Sequence, residues 1–218
     1  MKLAIFNGSP RNKKSNSKIL TEQFLDGYTE ICNEPTVVRY LADIKEREQA
    51  IKTFLDADTC VIIFPLYTDC MPGIVKDFFE QISGFNINKL KRIGFIVQSG
   101  FPESKHSVYL ERYLKKLVSR LNCEYIGTVI KGGVEGIQYM PPNMTKKLFT
   151  NFRELGKHFA STEKFSYKIM KRLAKPFKLP LILRILLVIA PSGLVNMFWN
   201  MQLKQNGAWE KRFDRPFI

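Results

Sequence analysis

The chain has 218 residues, 45% of them hydrophobic, and four cysteines without a CxxC pair. A chain of this size buries a real core, so nothing in it calls for a disulfide framework or a structural metal, and scattered thiols suit a reducing cytoplasm. The net charge of +14 divides unevenly: residues 1–163 hold +5 and residues 164–218 hold +9.

In chain order, "LAIFN" (3–7) reads as a buried strand. The start "MKLAIFNGSP" is too short an apolar stretch for a signal peptide. Leu20, Phe24, Tyr28 and Ile31 make a helical stripe over 17–32. "TVVRYL" (36–41) is a second strand, 45–57 a short helix or loop, and "TCVIIFP" (59–65) a third strand. "PGIVKDFFEQI" (72–82) is a helix with Pro72 suited to its first turn, followed by a strand at "RIGFIVQ" (92–98). Leu110, Leu114, Leu117 and Leu121 line one face of a helix over 105–121. "EYIGTVI" (124–130) is the fifth strand, and Met144, Leu148, Phe152, Leu155 and Phe159 stripe a helix over 143–159.

Strands alternate with helices, and the strands are continuous apolar runs, as expected when both faces of a parallel sheet are covered. Five such strands predict a doubly wound α/β three-layer fold over 1–163, with 164–218 as a C-terminal helical extension. Ligands in that fold bind outside the carboxyl ends of the strands, at the switch in strand order. The loops after strands one, three and four therefore carry the candidate site.

The first loop and the helix start after it, "NGSPRNKKSNS" (7–17), hold Ser9, Arg11, Ser15, Asn16 and Ser17. Free N–H groups and the dipole at a helix start make an anion site, to which these residues add hydroxyl, amide and guanidinium donors. Gly8 is expected to let the backbone approach closely. A helix N-cap and turn is the plainer explanation. Neither GxxxxGK[ST] nor GxGxxG is present. The second loop, "FPLYTDCMPGIVKDFF" (64–79), offers Pro65, Tyr67, Met71 and Pro72 as an apolar, partly aromatic wall, with Thr68 and Asp69 between. The third, "QSGFPES" (98–104), carries Ser99, Gly100 and Phe101, where backbone N–H groups face a ring carbonyl or simply form a turn. His106 and His158 read as surface or capping residues, and no cluster has metal-ligand spacing.

Through "GSPR" (8–11), "SNS" (15–17) and "PLYTDCMPGIVKDFFEQI" (65–82), residues 1–160 resemble the flavodoxin-like NAD(P)H-dependent FMN reductases. That resemblance implies a flavodoxin-like fold with FMN as cofactor and NADPH or NADH as electron donor. Its phosphate would sit on Ser9, Arg11, Ser15, Asn16 and Ser17, and its ring on Pro65, Leu66, Tyr67, Thr68 and Met71. Asp69 and Cys70 would flank the ring, with Ser99, Gly100 and Phe101 at its pyrimidine edge. The flavin carries the chemistry, so no catalytic acid, base or nucleophile is assigned. The implied protein is a cytoplasmic homodimer passing electrons to a quinone, a nitro compound, a flavin or another small acceptor. A flavodoxin-like electron carrier or non-enzymatic flavin module is the alternative. Excess positive charge leans toward the reductase, because it favours an anionic reduced flavin and steers anionic dinucleotides.

The extension begins with the basic amphipathic "FSYKIMKRLAKPFK" (165–178). It continues into "LPLILRILLVIAPSGLVNMFWNMQL" (179–203), interrupted by Pro191, Gly193, Asn196, Asn200 and Gln202, and then "WEKRFDRPF" (209–217). Packing on its own domain or a second subunit, a membrane-surface anchor, and a spanning segment are all open readings. Nucleic acid is not an expected partner, since the basic residues are interleaved with Ile and Leu.

Overall fold

Five parallel strands form one sheet in the order β2-β1-β3-β4-β5, comprising β1 (Leu3–Asn7), β2 (Val37–Tyr40), β3 (Thr59–Pro65), β4 (Arg92–Gln98) and β5 (Glu124–Lys131). The computed structural model describes residues 2–87, 91–176, 185 and 196–215. All five strands fall within a residue or so of their expected positions. The chain reverses its direction of winding between β1 and β3, whose register pairs Leu3 with Thr59 and Asn7 with Ile63. The carboxyl ends Pro65, Gln98 and Lys131 are likewise in register.

Side chains alternate across the sheet. Ala4, Phe6, Ile62, Phe64, Phe95 and Val97 face one layer, formed with α2 (Arg47–Asp56), α3 (Gly73–Ser83) and α4 (Val108–Arg120). Leu3, Ile5, Val61, Ile63, Ile96 and Val129 face the other, formed with α1 (Asn16–Thr29), α5 (Pro142–Thr162) and α6 (Tyr167–Leu173). In the first layer Phe6, Phe54 and Phe78 pack ring against ring, with centroids 5.2–6.2 Å apart. In the second, Phe24, Tyr28, Phe159 and Phe165 do the same. Burial of these rings is the main source of stability in each layer.

Two stripe positions fall off the core. Ile31 lies beyond the end of α1 and is exposed, and Met144 sits exposed in the first turn of α5. The helices expected over 45–57 and 105–121 each begin with a 3-10 turn, at Ile44–Glu46 and Lys105–Ser107. Lys91 is buried, and its ammonium donates to the carbonyls of Leu55 and Ala57, closing the C-terminal end of α2.

The first compact unit runs over Met1–Phe177, so the expected boundary after residue 163 falls inside it. Phe165, Ile169 and Leu173 are buried in the second core layer, which ties α6 to the sheet domain. A second unit covers Lys178–Ile218, and its described part contains α7 (Met197–Gln205). Of the apolar run at 179–203, residues 179–184 and 186–195 lie outside the described residues, as does the end of the closing segment. Among the described residues no helix is long and apolar enough to cross a membrane.

Candidate functional site

The loops after β1, β3 and β4 meet at the carboxyl edge of the sheet, where β1 and β3 diverge. They line a small cavity with an open mouth. Its lining is Ser9, Arg11 and Asn16 from the first loop and helix start, Pro65, Leu66 and Tyr67 from the second loop, Gln98, Ser99 and Gly100 from the third, and Glu135 from the loop after β5.

The first loop folds on its own side chains. Asn7 accepts from the Ser9 amide at 2.9 Å, and Ser9 Oγ accepts from the Arg11 amide at 3.3 Å. Ser15 is the N-cap of α1: its hydroxyl accepts from the Lys18 amide at 3.2 Å, donates to the Asn12 carbonyl at 2.6 Å, and accepts from Asn7 Nδ2. Those bonds use the hydroxyl inside the loop. Ser15 therefore shapes the site without lining it, and the plain cap reading holds for this residue. Gly8 also has a structural use. A Cβ there would lie 2.3 Å from Val75 of α3, so its missing side chain admits a neighbouring helix.

Three buried polar atoms of this loop and helix start, Asn12 Oδ1, Asn16 Oδ1 and Ser17 Oγ, are without partners. Asn16 Nδ2 donates to the Val134 carbonyl at 2.9 Å, which fixes the amide orientation and leaves Oδ1 as an unpartnered acceptor. Ser17 Oγ is also unpartnered, and Ser17 is fully buried and lies outside the cavity lining. The backbone N–H groups of Asn16 and Ser17 have no intrahelical partners at this end. Donors for an oxyanion and an acceptor for a hydroxyl thus stand side by side. Arg11 reaches across the mouth to Glu135, Nη1 to Oε1 at 3.5 Å, with both side chains more than half exposed.

Pro65 and Leu66 are buried at the end of β3, and the Leu66 amide donates to the Gln98 carbonyl at 2.7 Å. Tyr67 and Cys70 then exchange backbone hydrogen bonds around Thr68 and Asp69, whose φ values are 48° and 59°. Positive φ at both central positions is a type I′ geometry, strained for β-branched Thr68. The turn turns Asp69 and Cys70 outward into solvent, and Tyr67 is 45% exposed beside the cavity. Met71 is buried in the core, and with Thr68, Asp69 and Cys70 it lies outside the lining.

The Ser99 amide donates to the Lys131 carbonyl at 3.0 Å, so it is not open to a ligand. The Ser99 hydroxyl, the Gly100 backbone and the buried Gln98 side chain line this edge instead. Phe101 points away from the cavity and stacks on His106 with centroids 4.5 Å apart. His106 Nδ1 lies 3.7 Å from Asp69 Oδ1 of the second loop. His158 is a surface residue near the end of α5, hydrogen-bonded to Thr162 and the Lys164 carbonyl. Gln98 and Glu135 were not among the expected site residues. A polar residue ending an apolar central strand was the available signal for Gln98. Glu135 had none beyond its place in "KGGVEG". Among the described residues no group of His, Cys, Asp and Glu is placed to hold a metal ion.

A family model described as a flavodoxin-like fold matches residues 1–155. The chain belongs to this flavodoxin-like family. Solved structures share its architecture. An FMN-dependent NADH-azoreductase from Bacillus anthracis, in complex with FMN, is 18% identical with a TM-score of 0.54, covering 73% of this chain and 100% of that one. An NAD(P)H:quinone oxidoreductase from Methanothermobacter marburgensis is 15% identical with a TM-score of 0.58, covering 73% and 96%. An NADPH-quinone reductase from P. pentosaceus is 16% identical with a TM-score of 0.54, covering 71% and 96%. At these identities the likeness is one of fold. No curated protein matches the chain. The flavodoxin-like family match ends before α6 and the C-terminal unit.

Proposed function

We propose that this protein is an FMN-dependent NAD(P)H oxidoreductase that passes electrons to a small acceptor such as a quinone, a nitro compound or a flavin. The observation that carries the proposal is the donor set at the α1 start, lying across one cavity from Pro65, Leu66 and Tyr67 at the sheet's switch point. A ribityl phosphate needs donors for its oxyanion and an acceptor for a hydroxyl. Arg11, Ser9 and the Asn16 amide from the lining are the donors, Asn16 Oδ1 is the acceptor, and Ser17, fully buried and outside the lining, holds two further donors beside them. The residues present therefore fit FMN.

In this reading Pro65, Leu66 and Tyr67 hold one side of the ring, while Gln98, Ser99 and Gly100 orient its pyrimidine edge. When bound, FMN supplies the redox step, accepting hydride from the nicotinamide and returning reducing equivalents to the acceptor. The protein binds, orients and electrostatically biases. The structural neighbours named for azo and quinone reduction support this reaction class, and the net charge of +14 favours encounter with anionic nucleotides.

Titrating flavin-free protein with FMN and with riboflavin tests the phosphate assignment. FMN binds at least about tenfold more tightly, as expected when charge-assisted hydrogen bonds hold the phosphate. Equal affinity for the two flavins contradicts it.

A further inference from the structure

The described part of the second unit carries an exposed apolar surface. Met197, Trp199 and Met201 of α7 are 65%, 64% and 49% exposed, and Ile185 and Phe213 are exposed as well. Met197 and Met201 stand one turn apart on one side, and Trp199 lies across the helix from them, so apolar surface is presented around it. Basic groups are interleaved with the aromatic ones. Arg212 stacks 4.0 Å from the Trp209 ring centre and 4.8 Å from that of Phe213, and Lys204 lies 5.0 Å from Trp209.

Charge limits what can cover this surface. Residues 178–218 hold six Lys+Arg and two Asp+Glu, residues 1–177 hold 28 and 18, and a second copy brings another +14. Neither the chain's own first unit nor another copy offers opposite net charge. The sequence supplies a second constraint: residues 179–203 contain one charged residue, Arg184, in 25 positions. An acidic protein partner would satisfy the charge but gives no reason for so long an apolar run. A spanning helix needs ~20 predominantly apolar residues, and this run is broken by Pro180, Pro191, Gly193, Asn196 and Asn200. Apolar and aromatic side chains bordered by Lys and Arg are instead the composition of a segment lying in a membrane interface.

We propose that the described part of the second unit, residues 196–215, docks the protein on an anionic lipid bilayer. Met197, Trp199, Met201 and Phe213 enter the interfacial region, and Lys204, Lys211, Arg212 and Arg215 meet the headgroups. This proposal does not depend on the flavin reading. The molecule also supplies its own reporter, because both tryptophans, Trp199 and Trp209, lie in this unit.

The test mixes the full chain with vesicles of phosphatidylcholine, or of equal parts phosphatidylcholine and phosphatidylglycerol, following co-sedimentation and tryptophan emission. The protein sediments with the anionic vesicles and its emission shifts to the blue, while neutral vesicles bind about tenfold less or weaker still. High salt weakens the anionic binding. Reversing two exposed charges, Lys211→Glu with Arg212→Glu, lowers partitioning by about tenfold or more. Failure to bind either vesicle overturns the proposal, as does equal binding to both. A lipid-free blue shift that grows with concentration as the mass doubles also overturns it, by showing that a second copy covers the surface.

Discussion

In the proposed FMN site Glu135 competes with the phosphate for Arg11, since its carboxylate lies 3.5 Å from the guanidinium at the cavity mouth. Glu135→Gln is expected to tighten FMN binding by up to about fivefold, in line with an exposed ion pair worth about 0.2–1 kcal/mol, and to leave riboflavin binding unchanged. Weaker FMN binding in that variant would show the carboxylate to be an organiser of the loop instead. The cysteines divide by environment. Burial pushes the Cys60 thiol up to about 12 and raises Cys123, while Cys70 is exposed on the strained turn and Cys32 is half-buried. A raised thiol favours the folded state below its ordinary range, and that contribution is lost as pH climbs toward 12. Alkylation at pH 8 should label Cys70 first and Cys60 only on unfolding, as mass spectrometry of labelled peptides would reveal; early labelling of Cys60 contradicts its burial. Part of this was readable in residue types. Arg11 and Tyr67 announce themselves, and Ser15 is in the right loop. Yet the same Ser at a helix start is cap or ligand depending on whether Asn7 and Asn12 use its hydroxyl, and only the folded loop decides that.

At the scale of elements, strand positions followed from composition because β1, β3 and β4 are apolar on both faces and bounded by turn residues. Helix ends were harder: Ile31 and Met144 keep the 3.6-residue spacing but lie past the surface that covers them. The apolar stripes of α1 and α5 marked their contact, but not the two glycines that set its closeness. Gly27 of α1 faces Arg153 of α5, and Gly156 faces Phe24; a Cβ on either would come 1.9 Å from a backbone carbonyl oxygen of the other helix. Two isolated glycines inside helical patterns read as weak points, because Ala is favoured over Gly by about 1 kcal/mol in a helix. Here they set the distance between two helices. Gly156→Ala should lower stability by about 1–3 kcal/mol despite the better helix former, through overpacking at the crossing. The urea midpoint measures this, and a higher midpoint in the variant would mean that the helices separate without loss.

At the scale of the molecule, a charge-balanced reading of the first 163 residues, with only +5, and a basic remainder led to a two-part description. The parts divide later than the charge does, since Phe165, Ile169 and Leu173 complete the second core layer before the chain leaves the sheet domain. Charge marks where a surface changes, whereas burial marks where a domain ends, and the two need not coincide. The fold was legible because alternating strands and helices leave few arrangements, and the switch point follows from the strand order β2-β1-β3-β4-β5. The contents of the site were less so, because Gln98 and Glu135 join it only through register and loop closure. The central claim is that this cavity holds a flavin that nicotinamide nucleotides reduce. The most direct measurement is the visible absorption spectrum of the protein loaded with FMN, recorded anaerobically before and after NADPH and, separately, NADH. Bleaching of the bound flavin bands to the fully reduced form by at least one nucleotide is the predicted result. Protein that takes up no FMN, or holds a flavin that both nucleotides leave oxidised, would contradict the account.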